Sequence, residues 1–218
     1  MITADVIDNL LKYFTQERYK SEVEAAKREF AEHAGNFDQN ADDFEMKMAQ
    51  FADWYLFTRP HSEKNTPPLH FIEETEIELS NFEKEKVDGI KNSRHGIFEY
   101  IKTKGDDIYI KDLFLNEKLM IKGSQISLGF TKEELFESRL IPNGESFEFG
   151  PAFCFHPAAA TKYILKEIKL VRKLKDAEAK KAQKEALIIK LSRMKYKLQQ
   201  YKHVKITDIY SNNPKLKV

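Results

Sequence analysis

Lysine and arginine side chains are concentrated toward the C-terminal end of this chain, in a pattern that suits the binding of an anionic partner. Of the 36 Lys and Arg, 17 lie in residues 157–218, together with 5 of the 35 Asp and Glu. Residues 1–156 hold the other 19 basic and 30 acidic side chains, so the net charge of +1 is the sum of an acidic and a basic part. Such asymmetry is typical of a basic segment that meets an anionic surface. The candidate binding residues are Lys180, Lys181, Lys184, Lys190, Arg193, Lys195 and Lys197.

The distribution of these charges limits what the segment could recognise. At 100° per helical residue they spread around a helix and do not form one stripe. Nearly all are lysine, which supplies point charge but not the bidentate contacts by which arginine distinguishes bases. The pattern fits attraction to nucleic acid or anionic lipid without sequence preference. It also fits a solvated helix whose charge is neutralised by the acidic part of the same chain, and the sequence leaves both interpretations open.

Catalytic chemistry has few candidates. The residues that an enzyme hypothesis would use near the predicted strands are His95, Glu99, Asp112 and Arg139. An enzyme built on them would need these side chains to converge in a concave pocket with shifted pKa values. No serine lies in a Gly-x-Ser-x-Gly motif, and neither Gly-x-Gly-x-x-Gly nor a P-loop is present. We therefore predict no catalytic residue and keep an enzyme of unknown reaction as a second alternative.

Thiol and metal chemistry depend on one cysteine. Cys154 stands two residues before His156 in the sequence Pro-Ala-Phe-Cys-Phe-His-Pro. On a strand such residues share a face about 6–7 Å apart, too far for the imidazole to activate the thiol directly, so we expect Cys154 to be a small buried side chain. One cysteine and six dispersed histidines show no paired zinc-ligand spacing, and the repeated Glu-x-x-His of a di-iron bundle is absent. No metal and no cofactor is predicted.

Helical periodicity dominates the N-terminal part of the sequence. Residues 3–57 carry apolar side chains at intervals of three and four, with a clear break at 35–40 and a weaker one near residue 16, which predicts three helices. Thr66 before a proline predicts a helix N-cap with proline in the first turn. Residues 75–92 are predicted as another helix.

The period changes to two between residues 93 and 156. Short apolar runs alternate there with Gly, Asp, Asn and Pro at turn-like intervals. Five or six short strands in about 60 residues predict a small, strongly bent antiparallel sheet or barrel.

Residues 158–213 contain neither glycine nor proline, which favours a long helix. Such a helix would either protrude as a coiled-coil arm or bend near residues 178–186 and fold back. After it, Val204, Ile206 and Ile209 alternate with polar neighbours, which predicts a short terminal strand.

The predicted fold is therefore α+β, with N-terminal helices packed on a small, strongly bent antiparallel sheet or barrel, followed by a long basic C-terminal helix. The predicted domains are a helical region at 1–92, a barrel at 93–156 and a basic arm at 157–218. No apolar run approaches the roughly 18 residues of a membrane span, and the N-terminus does not resemble a secretory signal. One cysteine fits a reducing compartment, so we expect a soluble cytoplasmic protein.

Short motifs between residues 44 and 155 resemble, in their order, a region of uncharacterised bacterial proteins. They are Phe51-Ala-Asp-Trp-Tyr-Leu-Phe57, Thr66-Pro-Pro-Leu69, Ser93-Arg-His-Gly-Ile-Phe-Glu99, Ile110-Lys-Asp-Leu113 and Leu135-Phe-Glu-Ser-Arg-Leu-Ile-Pro142. In those proteins this helical-plus-barrel region often accompanies SEC-C zinc motifs. Here a basic segment stands in place of the cysteine-rich motif, so no metal-dependent role is transferred. The resemblance implies a bacterial, cytoplasmic and non-catalytic protein.

These observations favour a non-enzymatic binding or adaptor protein. In this hypothesis the acidic body and the basic C-terminal helix engage a protein partner or a second copy of the chain. The alternative is nucleic-acid binding through the basic helix, for which affinity would fall steeply with salt.

Overall fold

A computed structural model describes residues 3–40, 44–124, 130–201 and 203–213 and shows an α+β fold. The α-helices are α1 (Thr3–Phe14), α2 (Lys20–Ala34), α3 (Phe44–Phe57), α4 (Asn81–Lys91), α5 (Thr161–Arg172), α6 (Ala177–Gln200) and α7 (Ile206–Ile209). The strands are β1 (Arg94–Lys104), β2 (Asp107–Asp112), β3 (Glu117–Ile121), β4 (Leu135–Asn143) and β5 (Ser146–His156). Short 3₁₀ helices occupy Glu17–Tyr19, Pro68–Glu74 and Ala158–Ala160. None of these described helices is both long and apolar enough to cross a membrane.

The three predicted N-terminal helices are confirmed as α1, α2 and α3. Helix α1 buries one face, to which Val6, Leu10 and Phe14 belong, because residues at intervals of four lie on the same side of a helix. The aromatic end of α3 also packs inward, and the Tyr55 hydroxyl donates a hydrogen bond to the carbonyl oxygen of Phe14 at 2.9 Å. Helices α1 and α3 are thereby held together.

One predicted helix start is confirmed only in part, and another is wrong. The segment after Thr66 forms a 3₁₀ helix whose N-cap is Pro67, without a side-chain cap hydrogen bond. The next α-helix begins at Asn81, several residues after the predicted position, because Ser80 closes a capping box. The Ser80 side chain accepts from the Glu83 N–H, and the Glu83 carboxylate accepts from the Ser80 N–H.

The strands form one five-stranded antiparallel sheet in the order β3-β2-β1-β4-β5, and the predicted barrel is wrong because the sheet is not closed. Residues 113–115, one of the short apolar runs in the region of period two, form a turn, so this run adds no strand. One sheet face is covered by helices: Ile97 and Leu135 share a buried cluster with Ile164 and Leu191. A sheet covered in this way buries its apolar face without closing on itself.

The long C-terminal helix is replaced by two helices, α5 and α6, that pack on each other. The chain breaks at 173–176, before the predicted bend, where the Asp176 carboxylate accepts the Ala179 N–H at 2.7 Å and caps α6. Of the two alternatives left open by the sequence, the segment folds back and does not protrude, because Ile164, Ile168 and Leu191 are buried in the core they share with the sheet. Residues 206–209 form α7, so the predicted terminal strand is also wrong.

Contacts divide the chain into two compact units. The first comprises the described residues of 1–32, 36–94 and 139–153. The second comprises those of 33–35, 95–138 and 154–218 and contains the α5–α6 hairpin.

Candidate functional site

The predicted binding residues all lie on helix α6 of the second unit. Lys181 is exposed, and the other predicted residues are half-buried: Lys180, Lys184, Lys190, Arg193, Lys195 and Lys197. Lys190 Nζ donates to Asn212 Oδ1 at 2.6 Å and lies 3.4 Å from Glu167 Oε2. Lys184 Nζ lies 5.6 Å from the Phe114 ring centroid. The helix therefore carries its charge on several sides, and part of that charge already has contacts within the unit.

An apolar groove of about 290 Å³ runs between α5 and α6. Its apolar lining comes from Leu170 and Val171 of α5, from Leu174 just after α5, and from Ala186 and Leu187 of α6. Its polar lining comes from Glu167, Gln183 and Lys190. Leu170 is 52% exposed and Leu174 is 37% exposed, although neighbouring positions of α5 are buried. Helix α5 thus has apolar side chains that are not buried in the core of the unit.

Lysines border the exposed leucines of this groove. Lys166 of α5 stands four residues before Leu170, and Lys173, the C-cap of α5, stands three residues after it, so both lie on the same side as Leu170. Both lysines are exposed. Residues 161–200 carry 13 Lys and Arg against 4 Asp and Glu. The structure therefore combines an open apolar groove with a positive border, which the sequence pattern alone did not reveal.

A second polar assembly lies between the sheet and α6 of the same unit. His95 of β1 contacts two carboxylates: its Nδ1 lies 2.9 Å from Glu185 Oε2, and its Nε2 lies 3.2 Å from Glu137 Oε1. The Ser192 hydroxyl donates to the other oxygen of Glu137. A chain of hydrogen bonds thus joins β1, β4 and α6 and fixes the carboxylate of Glu137 at both oxygens.

Glu137 also faces the end of β5. Its carboxylate, the Cys154 thiol and a ring nitrogen of His156 supply three potential ligand atoms within 4.8 Å of one another. Cys154 is buried, as the sequence predicted, and so is His156. His156 Nδ1 lies 3.2 Å from the Tyr210 hydroxyl. We call the three residues Glu137, Cys154 and His156 the Glu-Cys-His cluster.

Burial governs the protonation states around the Glu-Cys-His cluster. Burial and the nearby charge of Lys195 lower the pKa of His156 to about 3, so its imidazole is neutral at pH 7. Burial also raises the pKa of Tyr210 above its usual value. The phenol therefore keeps its proton, and both groups meet as neutral hydrogen-bonding partners.

The four residues considered for catalysis have separate surroundings. His95 belongs to the polar assembly just described, and Glu99 is half-buried on the same strand. The Asp112 carboxylate accepts hydrogen bonds from the backbone N–H groups of Phe114 and Leu115 at 2.9 and 3.0 Å, and so shapes the turn after β2. Arg139 belongs to the first unit and forms an ion pair with a buried aspartate there.

Comparison with known proteins adds a family but no activity. A family model described as a family of unknown function, DUF7986, matches residues 2–210. The chain belongs to this family. Comparisons with curated proteins and with solved structures gave no significant match.

In this DUF7986 protein, sequence reasoning identified the basic segment but missed the polar assembly. The sequence indicates that Cys154 and His156 share a strand face, and both lie on β5. Glu137, Glu185 and Ser192 come from β4 and α6, far away in sequence. The available signal was the acidic residue Glu137 directly after the apolar residues Leu135 and Phe136. It could not show which strand would lie beside β5.

Proposed function

We propose that this DUF7986 protein is a non-enzymatic binding protein that holds an acidic segment of a partner protein in the groove between α5 and α6. The observation that carries the proposal is the exposure of Leu170 and Leu174 on a strongly basic helical hairpin. A groove with exposed leucines and charged side chains along its border is typical of surfaces that bind an amphipathic helix.

The apolar lining favours a protein over a nucleic acid as the partner. Lysines attract an acidic protein or a nucleic acid through non-specific electrostatics. The phosphate and sugar groups of a nucleic acid, however, have no apolar side chains that could pack against the exposed leucines. A helix with apolar side chains at intervals of three and four would fill the groove, and acidic side chains beside them would meet Lys166 and Lys173. The hairpin of a second copy would present the same positive charge, so we expect self-association through this face to be disfavoured.

The proposal also covers location and ancestry. We place the protein in the cytoplasm because it has one cysteine, and this cysteine is buried. The similarity to the regions that accompany SEC-C motifs stays a prediction. Such a relation would agree with a protein that binds a partner and catalyses no reaction.

Fluorescence anisotropy with the full-length chain tests the proposed groove. The probe is a labelled synthetic amphipathic peptide with Leu at helical intervals and Glu at the remaining positions. We expect saturable binding that weakens with salt and that falls by about tenfold or more in the double variant Leu170→Ala/Leu174→Ala, because two buried contacts are lost. Leu165→Ala is the matched control, since Leu165 is 42% exposed but does not line the groove.

Two further measurements separate the alternatives. If a labelled DNA duplex binds and the double leucine variant binds it equally well, while the peptide does not bind, the nucleic-acid hypothesis replaces the proposal. If light scattering shows a dimer that the same leucine variant dissociates, the groove receives a second copy and not an acidic partner. Equal loss of peptide binding in the Leu165 variant would also contradict the proposal.

A further inference from the structure

We propose that the Glu-Cys-His cluster of the second unit is a binding site for one divalent transition-metal ion, for which Zn²⁺ fits best. The three ligand atoms of Glu137, Cys154 and His156 lie within 4.8 Å of one another. Protein ligands bind Zn²⁺ at about 2.0–2.3 Å, so two ligands of a tetrahedral ion lie about 3.3–3.8 Å apart. The three atoms would therefore have to approach one another by at most about 1.5 Å to share one ion.

An unpartnered nitrogen in this cluster points independently to a ligand. His156 is only 3% exposed, and its Nε2 has no hydrogen-bond partner among the described residues. The Tyr210 hydroxyl lies 3.2 Å from the other ring nitrogen, Nδ1. Burial of a polar atom without a partner is costly, and a metal ion bound at Nε2 would remove that cost.

The surrounding hydrogen bonds hold the potential ligands as metal sites usually do. Ligating histidines and carboxylates are typically oriented by hydrogen bonds from groups outside the ligand set. Tyr210 has this position for His156. His95 and Ser192 have it for Glu137, since each contacts one carboxylate oxygen.

The ligand chemistry selects the kind of ion. A thiolate sulfur and an imidazole nitrogen favour Zn²⁺ or a similar borderline metal over Mg²⁺ and Ca²⁺, which prefer oxygen. When the ion binds, Cys154 loses its thiol proton to solvent, and the thiolate and the carboxylate together balance the two positive charges. Three protein ligands leave a fourth tetrahedral position for water.

Metal titration of the full-length chain tests the site. The metal-free chain is prepared with a chelator and then dialysed against Zn²⁺, and bound metal is counted by mass spectrometry. We expect one ion per chain, and in a parallel titration with Co²⁺ a thiolate-to-cobalt charge-transfer absorption in the near ultraviolet. Cys154→Ser should remove that absorption, and both Cys154→Ser and His156→Gln should weaken binding by more than about tenfold.

The matched control is His203→Gln, which alters an exposed histidine outside the cluster and should leave binding unchanged. Circular dichroism checks that each variant is folded, and Cys154→Ala replaces Cys154→Ser if the serine variant does not fold. Absence of stoichiometric zinc binding by the folded wild-type chain would overturn the proposal. So would a cobalt spectrum without the thiolate band, or zinc binding of equal strength in the cysteine variant.

Discussion

Arg139 and Asp53 form a bidentate ion pair, with Arg139 Nε and Nη2 donating to the two carboxylate oxygens of Asp53 at 2.8 Å each. Both side chains are buried, and the pair joins α3 to β4 within the first unit. Arg139 Nη2 also lies 3.2 Å from the Thr58 hydroxyl. Two parallel charge-assisted bonds fix both the position and the angle of the guanidinium, which a lysine could not reproduce.

Loss of this pair should cost much of the stability of the protein. Asp53→Asn leaves the Arg139 charge buried without its counter-charge, so we expect the free energy of unfolding to fall by about 3–5 kcal/mol in urea titrations. Glu76→Gln is the control, because it removes a pair in which the Glu76 side chain is 89% exposed, and it should cost less than about 1 kcal/mol. Equal losses in the two variants would contradict this prediction.

Acid stability should depend on His156. Its pKa of about 3 in the folded chain lies below the value of about 6.5 expected after unfolding, so unfolded molecules bind the proton first as the pH falls. The free energy of unfolding should therefore decrease between about pH 6.5 and pH 3, by at most about 1.4 kcal/mol per pH unit. Among the described residues, the charged or titratable groups near His156 include Glu137, Cys154, Tyr210 and Lys195.

Urea midpoints of the metal-free chain, measured with chelator present from about pH 7 to pH 4, check the contribution of His156. His156→Gln should show a shallower decline with acid than wild type, because glutamine does not titrate. His203→Gln should decline as wild type does, since His203 is exposed and lies outside the Glu-Cys-His cluster. Parallel curves for wild type and the His156 variant would show that other groups cause the acid sensitivity.

The capping box of α4 should have a measurable effect. Ser80→Ala removes the side chain that accepts the Glu83 N–H, and we expect a loss of about 1 kcal/mol in the free energy of unfolding. Ser21→Ala changes an exposed serine within α2, where alanine is the better helix former, so it should be neutral or slightly stabilising. A neutral effect of Ser80→Ala would mean that water replaces the cap at no cost.

The buried phenol of Tyr55 should contribute through its hydrogen bond. Tyr55→Phe keeps the ring but leaves the Phe14 carbonyl without this donor, so we expect a loss of about 1–3 kcal/mol by thermal or urea unfolding. Tyr201→Phe, at a tyrosine that is 39% exposed, serves as the control and should be near neutral. Similar values for the two variants would assign the contribution of Tyr55 to its ring alone.

Periodicity predicted much of the fold because most elements bury one face. The helices α1 to α3 and the antiparallel strands follow from it. The break between α5 and α6 does not, since residues 173–176 contain neither glycine nor proline, and only Asp176 is a helix-start signal. Periodicity also could not show whether the sheet closes into a barrel, because closure depends on which face of the sheet the C-terminal helices cover.

The candidate sites were only partly predictable for a related reason. Charge counting located the basic segment, but the groove exists because α5 and α6 pack together as a hairpin. For Cys154 and His156, strand geometry correctly indicated a shared face. The spacing of backbone positions could not show that Glu137 approaches them from the neighbouring strand, or that the three ligand atoms converge to within 4.8 Å.

The open sheet has a consequence for how the molecule behaves in concentrated solution. Its outer strands are β3 and β5, and outer strands can add strands from other chains and so start fibrous aggregates. Pro151, exposed within β5, lacks the N–H that such pairing needs. Strand β3 is only five residues long and begins with the exposed charges of Glu117 and Lys118. Both edges therefore oppose edge-to-edge aggregation, which a closed barrel would have avoided by having no edge.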